Sequence, residues 1–220
     1  VDFRDPISRR KVVDTRSRRP IDPALADLLM RQHAALCPSE RRSRNLSLLC
    51  ESPRQPIGVV VTGQQIGLFL GPLYTVYKAA TAVASAQALS DQTGTPVVPL
   101  FWLQTEDHDY EEIRSCSIPG PQPGQPPLRL SLSASDPNET RSSVAYRRLG
   151  AEIEVLLSEL WDHLRPLPYA EECLSLLRRH YVQGNTLAQA FSGLLAEIFS
   201  AEGLLFLDPR KEGEQTVSRL

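Results

Sequence analysis

Glu106, Asp107, His108 and Asp109 stand side by side and form the densest titratable group of the chain. An imidazole among carboxylates can take or give a proton near neutral pH, which is general acid–base chemistry. The structural alternative is a helix N-terminus in which Thr105, Asp107 and Asp109 cap main-chain amides and His108 only packs. His and carboxylates also ligate metals, but this spacing marks no particular metal, and none is assigned. Position favours chemistry, because the group directly follows an apolar run of strand length at residues 96–103.

A second stretch has the composition of a ligand loop. Val59-Val60-Val61 reads as a strand covered on both faces, and Gly63, Gly67 and Gly71 then punctuate a loop leading into a helix. Glycines there let the backbone turn and approach a ligand closely, so Gly67→Val is expected to abolish binding with little loss of fold. Pro72 suits the first helical position. The loop would aim main-chain amides and the positive end of the helix dipole at an anion. Gln64 and Gln65 sit between glycines as amide contacts to such a ligand, and Tyr74 lies near the helix start. Lys78 is too far along for a phosphate-loop lysine of the G-x-x-x-x-G-K kind. It is either solvated on its helix or leans back over the site.

These groups need a scaffold that brings strand ends together. Strand, alanine-rich helix and strand across residues 59–103 make a βαβ unit, which puts both polar loops at the carboxyl ends of parallel strands, where open α/β sheets bind ligands. The expected fold is therefore α/β, a Rossmann-like and mostly parallel sheet with helices on both faces and an irregular insertion. Residues 1–55 read as an N-terminal arm and helices, the arm being the arginine-rich 1–20 and the first helix starting after Asp22. Residues 56–114 hold the first βαβ unit. Residues 115–145 form a Pro/Gly-rich insertion with a strand near 128–133. Residues 146–220 carry amphipathic helices near 150–164, 169–180 and 186–201, then a short buried strand at 204–207.

Composition narrows the function classes. The formal charge of −2 over 220 residues gives no basic field, so a nucleic-acid partner is not indicated. No apolar run reaches the roughly 18–20 residues that span a bilayer. Four widely spaced cysteines, Cys37, Cys50, Cys116 and Cys173, form no C-x-x-C pair and are expected to be free thiols in a cytoplasmic protein. The chain starts without Met and stops within an apparent helix start, so a piece of a longer protein is expected.

The run Val61-Thr62-Gly63-Gln64-Gln65-x-Gly67-Leu68-Phe69-x-Gly71-Pro72-Leu73-Tyr74-Thr75-x-Tyr77-Lys78, with Phe101-Trp102 and Glu106-Asp107-His108-Asp109 downstream, resembles the cysteine-adding enzymes of bacillithiol biosynthesis. Fainter matches are Tyr146-Arg147-Arg148-Leu149-Gly150 and Gly203-Leu204-Leu205-Phe206-Leu207-Asp208-Pro209. The resemblance implies a ligase that attaches cysteine to the amine of glucosaminyl malate. It also implies a homodimer, formed through a coiled coil beyond this segment. It leaves the cofactor unassigned, an adenine nucleotide being the candidate. In class I aminoacyl-tRNA synthetases the same place holds a His-x-Gly-His sequence that grips nucleotide phosphates, and here Gln65-Ile66-Gly67-Leu68 stands there without either histidine. His108, with Asp107 and Asp109, is the expected proton-transfer group. Gly63, Gln64, Gln65, Gly67, Gly71, Tyr74, Lys78 and Glu106 are the expected binding residues. The competing reading is a non-catalytic nucleotide- or sugar-phosphate-binding module.

Overall fold

A computed structural model describes residues 4–52, 54–106, 108–134 and 143–209. Along the chain the elements are α1 (Pro6–Arg16), α2 (Pro23–His33), α3 (Glu40–Cys50), β1 (Gly58–Gln65), α4 (Tyr74–Thr93) and β2 (Val97–Gln104). There follow α5 (Tyr110–Ile113), β3 (Ser115–Ile118), β4 (Leu128–Ser131), α6 (Glu152–Leu164), α7 (Ala170–His180), α8 (Leu187–Ile198) and β5 (Leu205–Leu207). They fall into two compact units. The first comprises residues 1–64, 76–103 and 196–220, the second residues 65–75 and 104–195.

The first unit is built on a three-stranded sheet in the order β1-β2-β5. β2 and β5 run parallel, with Leu100 opposite Leu205 and Trp102 opposite Leu207. Gly58 lies against Val97 and Gly63 against Trp102, so β1 and β2 advance together as well. The βαβ unit expected from the sequence is present. Alternation along the strands sorts the core into two faces. Val98, Leu100, Leu205 and Leu207 pack with Leu25, Leu28 and Leu29 of α2 and Leu49 of α3. Val97 turns the other way, to Val13 of α1 and Ala86 of α4. Helices therefore cover both faces. β2 is the buried central strand, and its Pro99 is tolerated where pairing to β5 begins only at Leu100.

Three local expectations need correction. The arm at 1–20 contains helix α1: the Asp5 carboxylate accepts from the amides of Ile7 and Ser8, and Pro6 sits in the first turn. Arginine density hid that start signal. Val61 is 57% exposed, on a strand that stands at the end of the order among the described residues. Pro72 precedes α4 instead of opening it. The chain first makes a 3-10 turn at Leu68–Leu70, and the Pro72 carbonyl then accepts from Thr75 N–H at 2.9 Å.

α3 also fastens the segment that leads into β5. The Asn45 amide donates to the Gly203 carbonyl at 2.8 Å. The buried Arg42 guanidinium donates to the carbonyls of Leu204 (3.1 Å), Cys37 (2.7 Å) and Ala196. A buried cation is tolerated when its donors are satisfied in this way.

The second unit pairs β3 with β4 antiparallel, Ser115 opposite Ser131 and Ile118 opposite Leu128. The strand expected near 128–133 is thus present, and its partner β3 is an addition to the sequence reading. Ile153, Leu157 and Leu160 of α6 are buried, as is Leu174 of α7, on the helical spacing seen in the sequence. α8 starts in this unit and ends in the first.

Candidate functional site

In the first unit the end of β1 carries Gly63 and Gln64. A Cβ at Gly63 would lie 3.0 Å from the Trp102 carbonyl oxygen and 3.2 Å from its Cβ, so this glycine accommodates the neighbouring strand. Lys78, half-buried on α4, reaches back to this strand end. Its Nζ donates to Gln64 Oε1 at 2.8 Å and to the Gly63 carbonyl at 3.3 Å. Of the two readings open for Lys78, the structure shows the one that leans back.

The rest of the glycine stretch belongs to the second unit and is largely packed. Ile66, Gly67, Leu68 and Leu70 are buried. A Cβ at Gly67 would meet the Gly71 carbonyl oxygen at 2.5 Å, and one at Gly71 would sit 3.2 Å from the Leu68 carbonyl oxygen and 3.3 Å from Cys116 Cβ. Neither glycine has a positive φ; the left-handed residues are Phe69 (φ 51°) and Leu70 (φ 61°). These glycines therefore admit the loop's own backbone, and the expectation that Gly67→Val spares the fold does not hold. The Gly71 N–H donates to the Leu68 carbonyl at 3.0 Å, so that donor is already used inside the loop. Ile66 and Leu68 are each 0% exposed and belong to the packing of this unit.

Tyr181, which follows α7, is wholly buried beneath this loop. Its hydroxyl accepts from Leu70 N–H at 3.3 Å and faces the Gly67 carbonyl at 3.4 Å. Burial pushes the phenol well above its ordinary value. Tyr74 is exposed at the start of α4, and Thr75 beside it is 0% exposed, its hydroxyl lacking a partner among the described residues. Neither Tyr181 nor Thr75 stood out in the sequence, since a lone tyrosine after a helix and a threonine in a first turn carry no spacing signal.

The acidic segment lies in the second unit too. Glu106, His108 and Asp109 are exposed, and Asp107 lies outside the described residues. Asp109 caps α5, accepting from Glu112 N–H at 3.1 Å, and the His108 carbonyl accepts from Tyr110 N–H at 3.0 Å. The capping role foreseen as the alternative is thus real for Asp109. Gln65 Nε2 is 3.4 Å from Glu112 Oε2, which ties the glycine stretch to α5. Just beyond the segment, the Arg147 guanidinium lies 4.7 Å over the Tyr110 ring. Burial raises the Tyr110 phenol above its usual value, with Arg147 opposing.

A groove of about 900 Å³ opens elsewhere, lined by Met30, Cys37, Arg42, Leu46 and Cys50 of the α2–α3 region. No expected site residue lines it, and the Arg42 guanidinium there is occupied by carbonyls. Among the described residues no three His, Cys, Asp or Glu side chains are grouped to hold a metal, and no helix is long and apolar enough to cross a membrane.

Comparison with known proteins agrees with the resemblance seen in the motifs. Residues 2–218 match the family model described as bacillithiol biosynthesis BshC, N-terminal Rossmann-like domain. The protein named "Putative cysteine ligase BshC" from Salinibacter ruber is 34% identical over 210 residues, covering 94% of this chain and 37% of its own length. The proteins of that name from Heliobacterium modesticaldum and Chloroherpeton thalassium are 38% and 30% identical, over 73% and 99% of this chain and 28% and 38% of theirs. The chain thus spans between 28% and 38% of the length of these curated relatives. With its parallel sheet and its strand-end loops, it belongs to the BshC family and corresponds to that family's N-terminal Rossmann-like domain.

Proposed function

We propose that the chain is the Rossmann-like part of an enzyme that joins cysteine to the amine of glucosaminyl malate, the step that completes bacillithiol. The amine nitrogen attacks the activated carboxyl carbon of cysteine, the C–N bond forms, the activating group leaves with its electron pair, and a base takes the amine proton. His108 is the base in this reading, with Asp107 beside it. Asp109 holds the segment in place through its cap on α5. Lys78 and Gln64 bind an anionic group at the end of β1. Gln65, Tyr74 and Glu106 complete the binding residues, and Gly63, Gly67 and Gly71 serve by the shape they allow.

The observation that carries this reading is Lys78, whose ammonium is drawn back to the carboxyl end of a parallel strand, where open α/β sheets take their ligands. Within the same reading the intact protein is a homodimer, its substrates are cysteine and glucosaminyl malate, and an adenine nucleotide is the candidate activator. The deciding experiment incubates the intact protein with both substrates, with and without ATP, and follows bacillithiol by mass spectrometry. Product in either arm supports the ligase. Binding of ATP or glucosaminyl malate without product in both arms would favour the non-catalytic module, in which the segment 106–109 is only structural.

A further inference from the structure

We infer that Tyr181 is a positioning residue of the candidate site, the latch that holds the 66–71 turn in a conformation the turn would not keep alone. This rests on the reading that residues 63–78 bind substrate. Phe69 and Leu70 are consecutive, carry side chains, and both sit in the left-handed region, at φ 51° and 61°. In that region the Cβ crowds the following carbonyl oxygen, and single residues rather than pairs are the rule. A strained pair persists only where its surroundings over-determine it, and such strain clusters at binding sites.

Tyr181 supplies the constraint from three directions. Its hydroxyl accepts from Leu70 N–H, inside the strained pair. The same hydroxyl donates to the Gly67 carbonyl on the near side of the turn. Its ring meets the Phe69 ring edge-on, centroids 4.8 Å apart and planes at 63°. One buried side chain therefore pins the start, middle and end of the turn. The wholly buried phenol stays protonated at any working pH, because burial opposes its ionisation, so the latch keeps its donor. The turn lies between Gln65 and Tyr74, two of the proposed binding residues, which share its unit. Pre-organisation of this kind lowers the cost of binding without touching the ligand.

The test is Tyr181→Phe in the intact protein, which keeps the ring and removes both hydroxyl contacts. Hydrogen exchange at residues 66–71 is followed with and without glucosaminyl malate and ATP, and KM is measured separately for cysteine and glucosaminyl malate. In the parent, ligand should slow exchange in this turn. In the variant the turn should exchange faster, and KM for the substrate that protects it should rise roughly tenfold. The other KM and kcat should change little, a split that general loss of structure would not give. Phe69→Leu, which removes the ring contact and leaves the hydroxyl, should raise the same KM by less, and it decides the matter if Tyr181→Phe does not fold. Ligand protection in the parent with unchanged KM in the variants would overturn the latch while leaving the binding turn intact. No protection by any ligand in the parent would overturn both.

Discussion

His33 Nε2 accepts the main-chain N–H of Phe206 at 2.8 Å, while Nδ1 lies 2.6 Å from the Leu29 carbonyl. The first contact needs a bare Nε2, so the proton sits on Nδ1 and the ring is neutral. His33 thereby ties α2 to β5 within the first unit. Burial is the main reason that its pKa falls to about 4 from an ordinary 6.5. Between those values the unfolded chain binds the proton and the folded chain does not, so stability rises with pH across that window. It is lost as pH falls from 6.5 towards 4, by up to about 3 kcal/mol for the full shift. Urea unfolding at pH 7 and pH 4.5 should show the loss, and His33→Gln should flatten the slope. Equal stability at both pH values in the parent would contradict the buried neutral ring.

Lys78→Met should leave the fold almost untouched, within about 1 kcal/mol, since most substitutions away from the core fall there. Its effect should appear in substrate use. Loss of the ammonium at Gln64 is expected to reduce kcat/KM at least tenfold, whereas Lys78→Arg should retain part of it. If Lys78→Met is as active as the parent, the end of β1 takes no part in binding.

His108→Asn removes proton exchange while keeping a side chain of similar size. A positioned acid–base group contributes about 10²–10⁴-fold, and kcat should fall by that factor with KM little changed. A loss below tenfold, with an unaltered pH profile, would assign His108 to the structural role that Asp109 already plays.

Gly67→Ala tests packing in place of binding. Its Cβ would press on the Gly71 carbonyl oxygen from 2.5 Å, and main chain cannot swing aside as a side chain can. Overpacking of this kind costs about 1–3 kcal/mol, so the melting temperature should drop by several degrees even without ligand. An unchanged melting temperature would mean that the loop has room that the geometry denies it.

The thiols should react in order of access. Cys50 and Cys173 are exposed, Cys37 and Cys116 half-buried, and all four are free. Burial lifts the Cys116 thiol to about 11, so little thiolate is available there at neutral pH. Timed alkylation read by mass spectrometry should label Cys50 and Cys173 first and Cys116 last. Early labelling of Cys116 would show that its surroundings open readily.

Much of the fold was legible in the sequence because its signals are local. Asp22 before Pro23 marks the start of α2, and Ile153, Leu156, Leu157 and Leu160 set the buried face of α6. The apolar run at residues 96–103 announced a strand, and β2 occupies nearly all of it. At the glycines, sequence does not tell whether a missing Cβ makes room for a ligand or for the chain itself. At Gly63 the neighbour is Trp102, and at Gly67 it is Gly71. Tyr181 was invisible for a related reason: it meets Gly67 and Leu70 more than a hundred residues away, with no periodicity between them.

The clasp that α3 places on residues 196–204 bears on the order of events at the ribosome. The whole of 104–195 is spelled out inside the first unit's chain, so that unit cannot close until β5 has been synthesised. Until then Arg42 lacks the carbonyls of Ala196 and Leu204, Asn45 lacks that of Gly203, and β2 lacks its partner on that side. A nascent chain halted at residue 195 should thus leave its amino-terminal portion open to protease, and one released past residue 209 should become resistant. The three-residue strand β5 is the late-arriving part on which the earlier-made portion waits.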